Sequence, residues 1–370
     1  MDASRPLRPS PHEDFAREVK AGVDAYFARS GLSRHADAAM VAKTVVLVCL
    51  YFGSYALIVS SLPPLPWAWA LCLAMGIGMA GIGFSVTHDA LHGAYSADPR
   101  VNRLLGHALF AALGANPYIW RLTHNHVHHT YPNVQGYDED LEVSPLIRLS
   151  PHTPHKPIHR FRHVFAFLAY GFATLFWVFV KDYKYFLMAD LGPYRGRKHP
   201  RSEWLLLFLG KASYYFMMIG LPLLVLEIAW WQFLVGFLTL HLSAGLILGV
   251  VFQLAHVVEP TGHLRKEEAG PFTRASWMVH QMRTTSNFAP GNRLLSWYVG
   301  GLNHQIEHHL FPRVCHVHYG ALSPIVEAAA ARHGVPYHRH ATLWQAVRSH
   351  HRVLKAYGDP VLMGAAVPQR

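Results

Sequence analysis

Four apolar runs of bilayer-spanning length restrict this chain to few folds. They cover residues 38–61, 67–87, 204–226 and 231–255. A backbone crossing hydrocarbon must satisfy its own hydrogen bonds, and about 20 residues of helix are enough to cross. Only Leu-Pro-Pro-Leu-Pro (62–66) separates the first two runs, and Glu-Ile-Ala-Trp-Trp (227–231) joins the last two. Such short connections predict two helical hairpins. The composition agrees, since 15% of the 370 residues are charged and soluble domains average about 25%.

Histidine is the second signal. The chain holds 28, many in "HDALH" (88–92), "HNHVHH" (124–129) and "HQIEHH" (304–309). On a helix, residues four apart share a face. That relation holds for His88 and His92, for His124 and His128, and for His304 and His308, while His129 and His309 sit beside their pairs. One such pair is weak evidence, because surface histidines are common. Three clusters on one membrane face point to metal. Neutral imidazole suits zinc, copper, iron and nickel. A zinc site needs three or four protein ligands, and the clusters offer far more, so two ions are expected. Cys49, Cys72 and Cys315 are scattered, which argues against an iron–sulfur cluster. A bis-histidine haem would place its ligands inside the spans. A nitrogen-rich pair of irons facing an apolar bilayer suits O2 activation and attack on a lipid C–H bond.

Parity sets the remaining topology. Residues 164–180 form a fifth apolar run of 17 residues, the lower limit for a span. A fifth crossing would strand "HQIEHH" on the opposite face from the other clusters. The run is therefore read as a helix in the interface or against the soluble part. The expected fold is an all-α integral membrane protein, with four transmembrane helices in two hairpins. A helical cap (88–203 and 256–370) holds a histidine-rich di-metal centre, and residues 1–37 form a polar N-terminal segment. The tight loops lack Lys and Arg, whereas the N-terminus has Arg5, Arg8, Arg17, Lys20, Arg29 and Arg34. By the positive-inside rule the histidine face is cytoplasmic. The net charge of +11 follows that pattern and forms no stripe for nucleic acid. The N-terminus is too polar and long for a cleaved signal peptide. Within the spans, Lys211 lies near enough to an end to snorkel, and His241 is expected to hydrogen-bond inside the bundle.

The strings "THDALHGAYS", "HNHVHHTYPNVQGYDEDLE", "FQLAHVVE" and "GGLNHQIEHHLFPRVCHVHY" resemble the membrane fatty acid desaturases from about residue 37 onward. The "QIEHH" form is similar to the front-end subgroup, which desaturates on the carboxyl side of an existing double bond. The resemblance implies two non-haem irons, O2 as co-substrate, and the ligands His88, His92, His124, His128, His129, His256, His308 and His309. Gln305 stands where a more general third box has histidine, as a weak ligand or a holder of water. His304 has ligand spacing, yet the resemblance gives it a supporting or packing place. His126 is read as a non-ligand. Asp89, Asn125, Asp138, Asp140 and Glu307 sit beside ligands and can fix imidazole tautomers, although the acidic run also fits a solvated loop. Trp120, Trp297 and Tyr298 are candidates for lining an acyl tunnel, or are simple packing.

The implied substrate is a long-chain acyl-CoA or acyl-lipid entering from the membrane lipids. No "HPGG" haem motif occurs in the chain, so a separate electron donor of ferredoxin or cytochrome b5 type is expected. The rival readings are a lipid or alkane hydroxylase of the same superfamily, a membrane zinc hydrolase, and a metal transporter. Transporter ligands would lie near the bilayer midplane.

Overall fold

The computed structural model describes residues 11–142, 146–270 and 272–359. Arg5, Arg8 and the end of the expected cap (360–370) lie outside them. Among the described residues, four helices are long and apolar enough to cross a membrane: Ala38–Val59, Leu65–His92, Arg201–Val225 and Trp230–His256. The second and fourth contain 28 and 27 residues. At 1.5 Å per residue each exceeds the roughly 30 Å hydrocarbon core by about two turns. The excess carries histidine, because the second helix ends on His92 and the fourth on His256. The first histidine cluster thus rides on a rod continuous with a span.

The second and fourth helices pack so closely that a Cβ on Gly76 would stand 2.6 Å from the Leu240 carbonyl oxygen. Trp69 Nε1 of the second helix donates to Thr239 Oγ1 of the fourth at 2.8 Å. Met75, Met79, Ile82, Leu240 and Ala244 fill the space between the spans. Lys211 turns inward instead of snorkelling. Its Nζ lies 2.8 Å from Asp182 Oδ2 and 2.7 Å from the carbonyls of Gly114 and Val178. The carboxylate and the two carbonyls satisfy an ammonium that burial strips of water. His241 bonds Tyr214 Oη at 2.9 Å and Thr174 Oγ1 at 3.1 Å.

The apolar run 164–180 is not one helix. Helices Pro157–Gly171 and Ala173–Leu187 meet at a bend of 63°. The bend lies against the fourth span, where a Cβ on Gly245 would stand 2.2 Å from the Gly171 carbonyl oxygen. Only glycine allows that approach. Gly245→Ala should cost about 1–3 kcal/mol through overpacking, read as a lower thermal midpoint in detergent. Gly270→Ala, with open space around its Cβ position, is the control.

Two short parallel strand pairs tie distant segments together. Val134 pairs with Leu264, next to the second cluster, and Asn287 pairs with Arg339, ahead of the third. The helix Leu343–Gly358 closes over the outside, with Val353, Leu354 and Tyr357 packed on Ala166 and Tyr170.

Candidate metal centre

Each histidine cluster reaches the centre by a different local device. His88 and His92 ride the end of the second helix, which stops at Gly93 in a left-handed turn (φ 76°). Residues Arg121–His128 form a π-helix, wider than the α-helix assumed from spacing. The His129 N–H donates to the His124 carbonyl five residues back. This winding aims His124, His128 and His129 inward together and leaves His126 exposed. Gly300 and Gly301 both have positive φ, and a Cβ on Gly300 would stand 2.4 Å from the Phe84 carbonyl. That contact presses the third cluster, on helix Gln305–Leu310, against the second span.

The side chains converge in overlapping groups. His88, His92, His124 and His308 offer ring nitrogens within 4.8 Å of one another, as do His128, His256 and His309. His129 joins them, forming a third such set with His308 and His309. All eight come from the set that the resemblance implied.

Hydrogen bonds at the outer ring nitrogens fix the tautomers. Nδ1 of His128 donates to Asp138 (3.1 Å), of His256 to the Thr284 carbonyl (3.2 Å) and of His309 to Gln281 Oε1 (2.8 Å), while His308 Nδ1 shares a hydrogen bond with Tyr319 Oη (3.2 Å). In the first three the proton on Nδ1 leaves a lone pair on Nε2. In all four the buried Nε2 has no hydrogen-bond partner, and the same holds for His92 Nε2 and His129 Nδ1. Buried lone pairs without a donor are costly, and a cation relieves that cost. The donor set therefore fits metal. Burial first, and neighbouring imidazoles second, hold His124, His129, His308 and His309 well below the ordinary imidazole range. Those rings are neutral, as ligands must be. Burial also opposes charge on His128, but Asp138 and then Asp140 outweigh it and raise its pKa. The same carboxylates favour a cation at Nε2.

The other sequence candidates divide. Asp138 bonds His128 directly, and Asp140 stands 3.9 Å from the same ring while pairing with Lys181 at 3.1 Å. Asn125 Nδ2 donates to the Leu91 carbonyl (3.0 Å), tying the second cluster to the first. Asp89 bonds His316 at 2.8 Å and lies 4.0 Å from His88. Glu307 turns away from the imidazole groups to Asn287 and Tyr337, both at 2.8 Å, and burial pushes its carboxyl up to about 7. His304 bonds Ser323 at 2.9 Å and is in none of the groups. Gln281, Tyr319 and Thr284, which hold the outer nitrogens of His309, His308 and His256, carry no sequence signal, because their role depends on contacts 11 to 28 residues away.

A cavity of 660 Å³ opens beside the histidines. His88, His124, His308 and Gln305 face it, and Trp120, stacked on His124 at 4.3 Å, forms part of the wall. The lining combines apolar side chains, Met79, Phe110, Leu113 and Val178 among them, with the polar side chains of Glu139, Asp140, Glu142, Lys181 and Lys184. Trp297 and Tyr298, candidates for the wall or for packing, are not among its lining residues. Tyr298 Oη instead donates to the Ile77 carbonyl on the flank of the second span, and Trp297 is 41% exposed.

The sequence profile of the fatty acid desaturase family matches residues 64–341. The chain belongs to the fatty acid desaturase family. As a member it is an integral membrane oxidoreductase, a fatty acyl desaturase. The sn-1 linoleoyl-lipid 6-desaturase of Synechocystis is 35% identical over 347 residues, covering 93% of this chain and 95% of that one. The protein of that name from Arthrospira platensis is 32% identical, covering 92% of each chain. The acyl-lipid (8-3)-desaturase of Physcomitrium patens is 33% identical, covering 94% of this chain and 72% of its own length.

Proposed function

We propose that this desaturase holds two irons and places a cis double bond on the carboxyl side of an existing one, in a long-chain acyl-lipid. One observation carries the reading. Buried imidazoles with unshared lone pairs converge beside a cavity that His88, His124 and His308 line, and Asp140 of the same lining stands 3.9 Å from His128. His88, His92, His124 and His308 would hold one iron, and His128, His256 and His309 the other, with His129 between them. When bound, the irons supply O2-dependent removal of two hydrogens from adjacent methylenes, with electrons from a separate donor of ferredoxin or cytochrome b5 type.

The protein's part is position. The apolar side chains exclude water and take the methyl-ward part of the chain. The polar side chains take the ester and head group. Asp140 belongs to the cavity lining and stands 3.9 Å from His128, so an ester held beside it would leave the carboxyl-ward methylenes nearest the imidazoles. The names of the Synechocystis and Arthrospira relatives specify a linoleoyl-lipid and a 6-position, which supports the same choice over an acyl-CoA substrate. We place the histidine face in the cytoplasm, with residues 38 onward as one membrane domain.

The test is product analysis in a host without polyunsaturates, fed linoleate and read by gas chromatography–mass spectrometry. A new double bond between the carboxyl and the existing pair is expected. A hydroxylated acid would move the reading to a hydroxylase, and product formed without O2 would end it.

A further inference from the structure

Outside the imidazole groups, Asp89, Cys315 and His316 stand close enough together to hold an ion of their own. A lysine already fills that place. Lys43 of the first span is 4% exposed, with Nζ 2.6 Å from His316 Nε2 and 3.4 Å from Ser85 Oγ. An ammonium only donates, so His316 Nε2 accepts and the ring proton sits on Nδ1. Nδ1 points at Asp89 Oδ2 (2.8 Å), and the His316 backbone N–H reaches the same oxygen (3.3 Å). One tautomer satisfies every contact. Lys43 and Asp89 are thus opposite charges joined across a neutral imidazole, and neither is stable alone in this interior. The second oxygen of Asp89 faces His88 Nδ1 at 4.0 Å.

Three distant segments meet in this link: the first span, the first histidine cluster, and the turn that follows the third. The second imidazole group has a counterpart made from different parts. Asp138 and Asp140 back His128, and Lys181 pairs with Asp140 at 3.1 Å.

We propose that Lys43 is a positioning residue for one of the two metal positions. Acting through His316 and Asp89, it holds His88 against His308 and keeps other cations out of the Asp89/Cys315/His316 cluster. The proposal rests on reading the imidazole groups as metal sites.

The test counts ions per chain by elemental mass spectrometry while purified holoprotein is dialysed against rising chelator. Wild type is expected to hold two ions. In Lys43→Met one of them should leave at about 10–100-fold lower chelator, the usual effect of removing a group that supports a ligand, and the other should not move. His316→Asn breaks the same link from the other side and should give the same selective loss. Lys43→Arg should stay within a few-fold of wild type. Lys181→Met should loosen the other ion, so the Lys43→Met/Lys181→Met pair loosens both. Release of both ions at wild-type chelator from Lys43→Met and His316→Asn would overturn the proposal. So would joint loss of both ions with a fallen thermal midpoint, which marks general loosening. Wild-type protein without metal would sink the metal reading itself.

Discussion

Alanine at His308 is expected to abolish desaturation and to release metal, while alanine at His126 changes neither. His308 offers its ring to two of the overlapping groups, one with His88, His92 and His124 and one with His129 and His309. Its Nδ1 is held by Tyr319 and its Nε2 is buried without a partner. Removing it therefore weakens both metal positions. The expected fall in product is at least about 100-fold, beyond the loss seen when only a supporting group goes, and metal per chain should drop below two. His126 lies five residues from the start of its π-helix and is exposed, so His126→Ala should keep turnover and metal within error. Retention of both ions and most of the product by His308→Ala would exclude His308 as a ligand.

The second large effect concerns stability. Lys211→Met should lower it by about 3–5 kcal/mol, because breaking a buried pair leaves one charge uncompensated. The stranded group is Asp182, fully buried and also accepting from the Asn116 N–H (2.9 Å) and Trp177 Nε1 (3.0 Å). The lysine additionally caps the Gly114 and Val178 carbonyls. Together these bonds fix the 113–116 turn and the helix Ala173–Leu187, which form one wall of the cavity. Thermal midpoints in detergent should fall on the order of 10 °C. Adding Asp182→Leu to Lys211→Met should recover part of the loss, since two missing charges cost less than one. Recovery stays partial because the Asn116 and Trp177 donors lose their acceptor. A single Lys211→Met as stable as wild type would show the pair to be dispensable.

The part of the centre legible in the sequence was the part written locally. His88 and His92 are one turn apart on any helix, and His308 and His309 are neighbours, so their spacing announced them. The contacts that orient their rings are not local. Gln281 lies 28 residues from His309, and Asp138 needs a turn after the second cluster to reach His128. The π-winding of Arg121–His128 hid behind an i, i+4 spacing that an ordinary helix explains as well. Trp297 and Tyr298 are aromatics near the third cluster, and sequence distance says nothing of what each packs against.

By itself the sequence determined the membrane class, the four long helices and the imidazole-rich chemistry. Run length, hydropathy and i, i+4 spacing are properties of a few consecutive residues, and hydrocarbon leaves the backbone no choice but helix. Tertiary structure alone decided where the fifth apolar run bends, which way Lys43 and Lys211 turn, and which imidazole nitrogen faces inward. Each of those depends on a partner distant in the chain: the Gly171 carbonyl against Gly245, Asp182 for Lys211, and His316 for Lys43. A buried polar group takes its direction from the partner that satisfies it, and that partner is fixed only when the chain has packed.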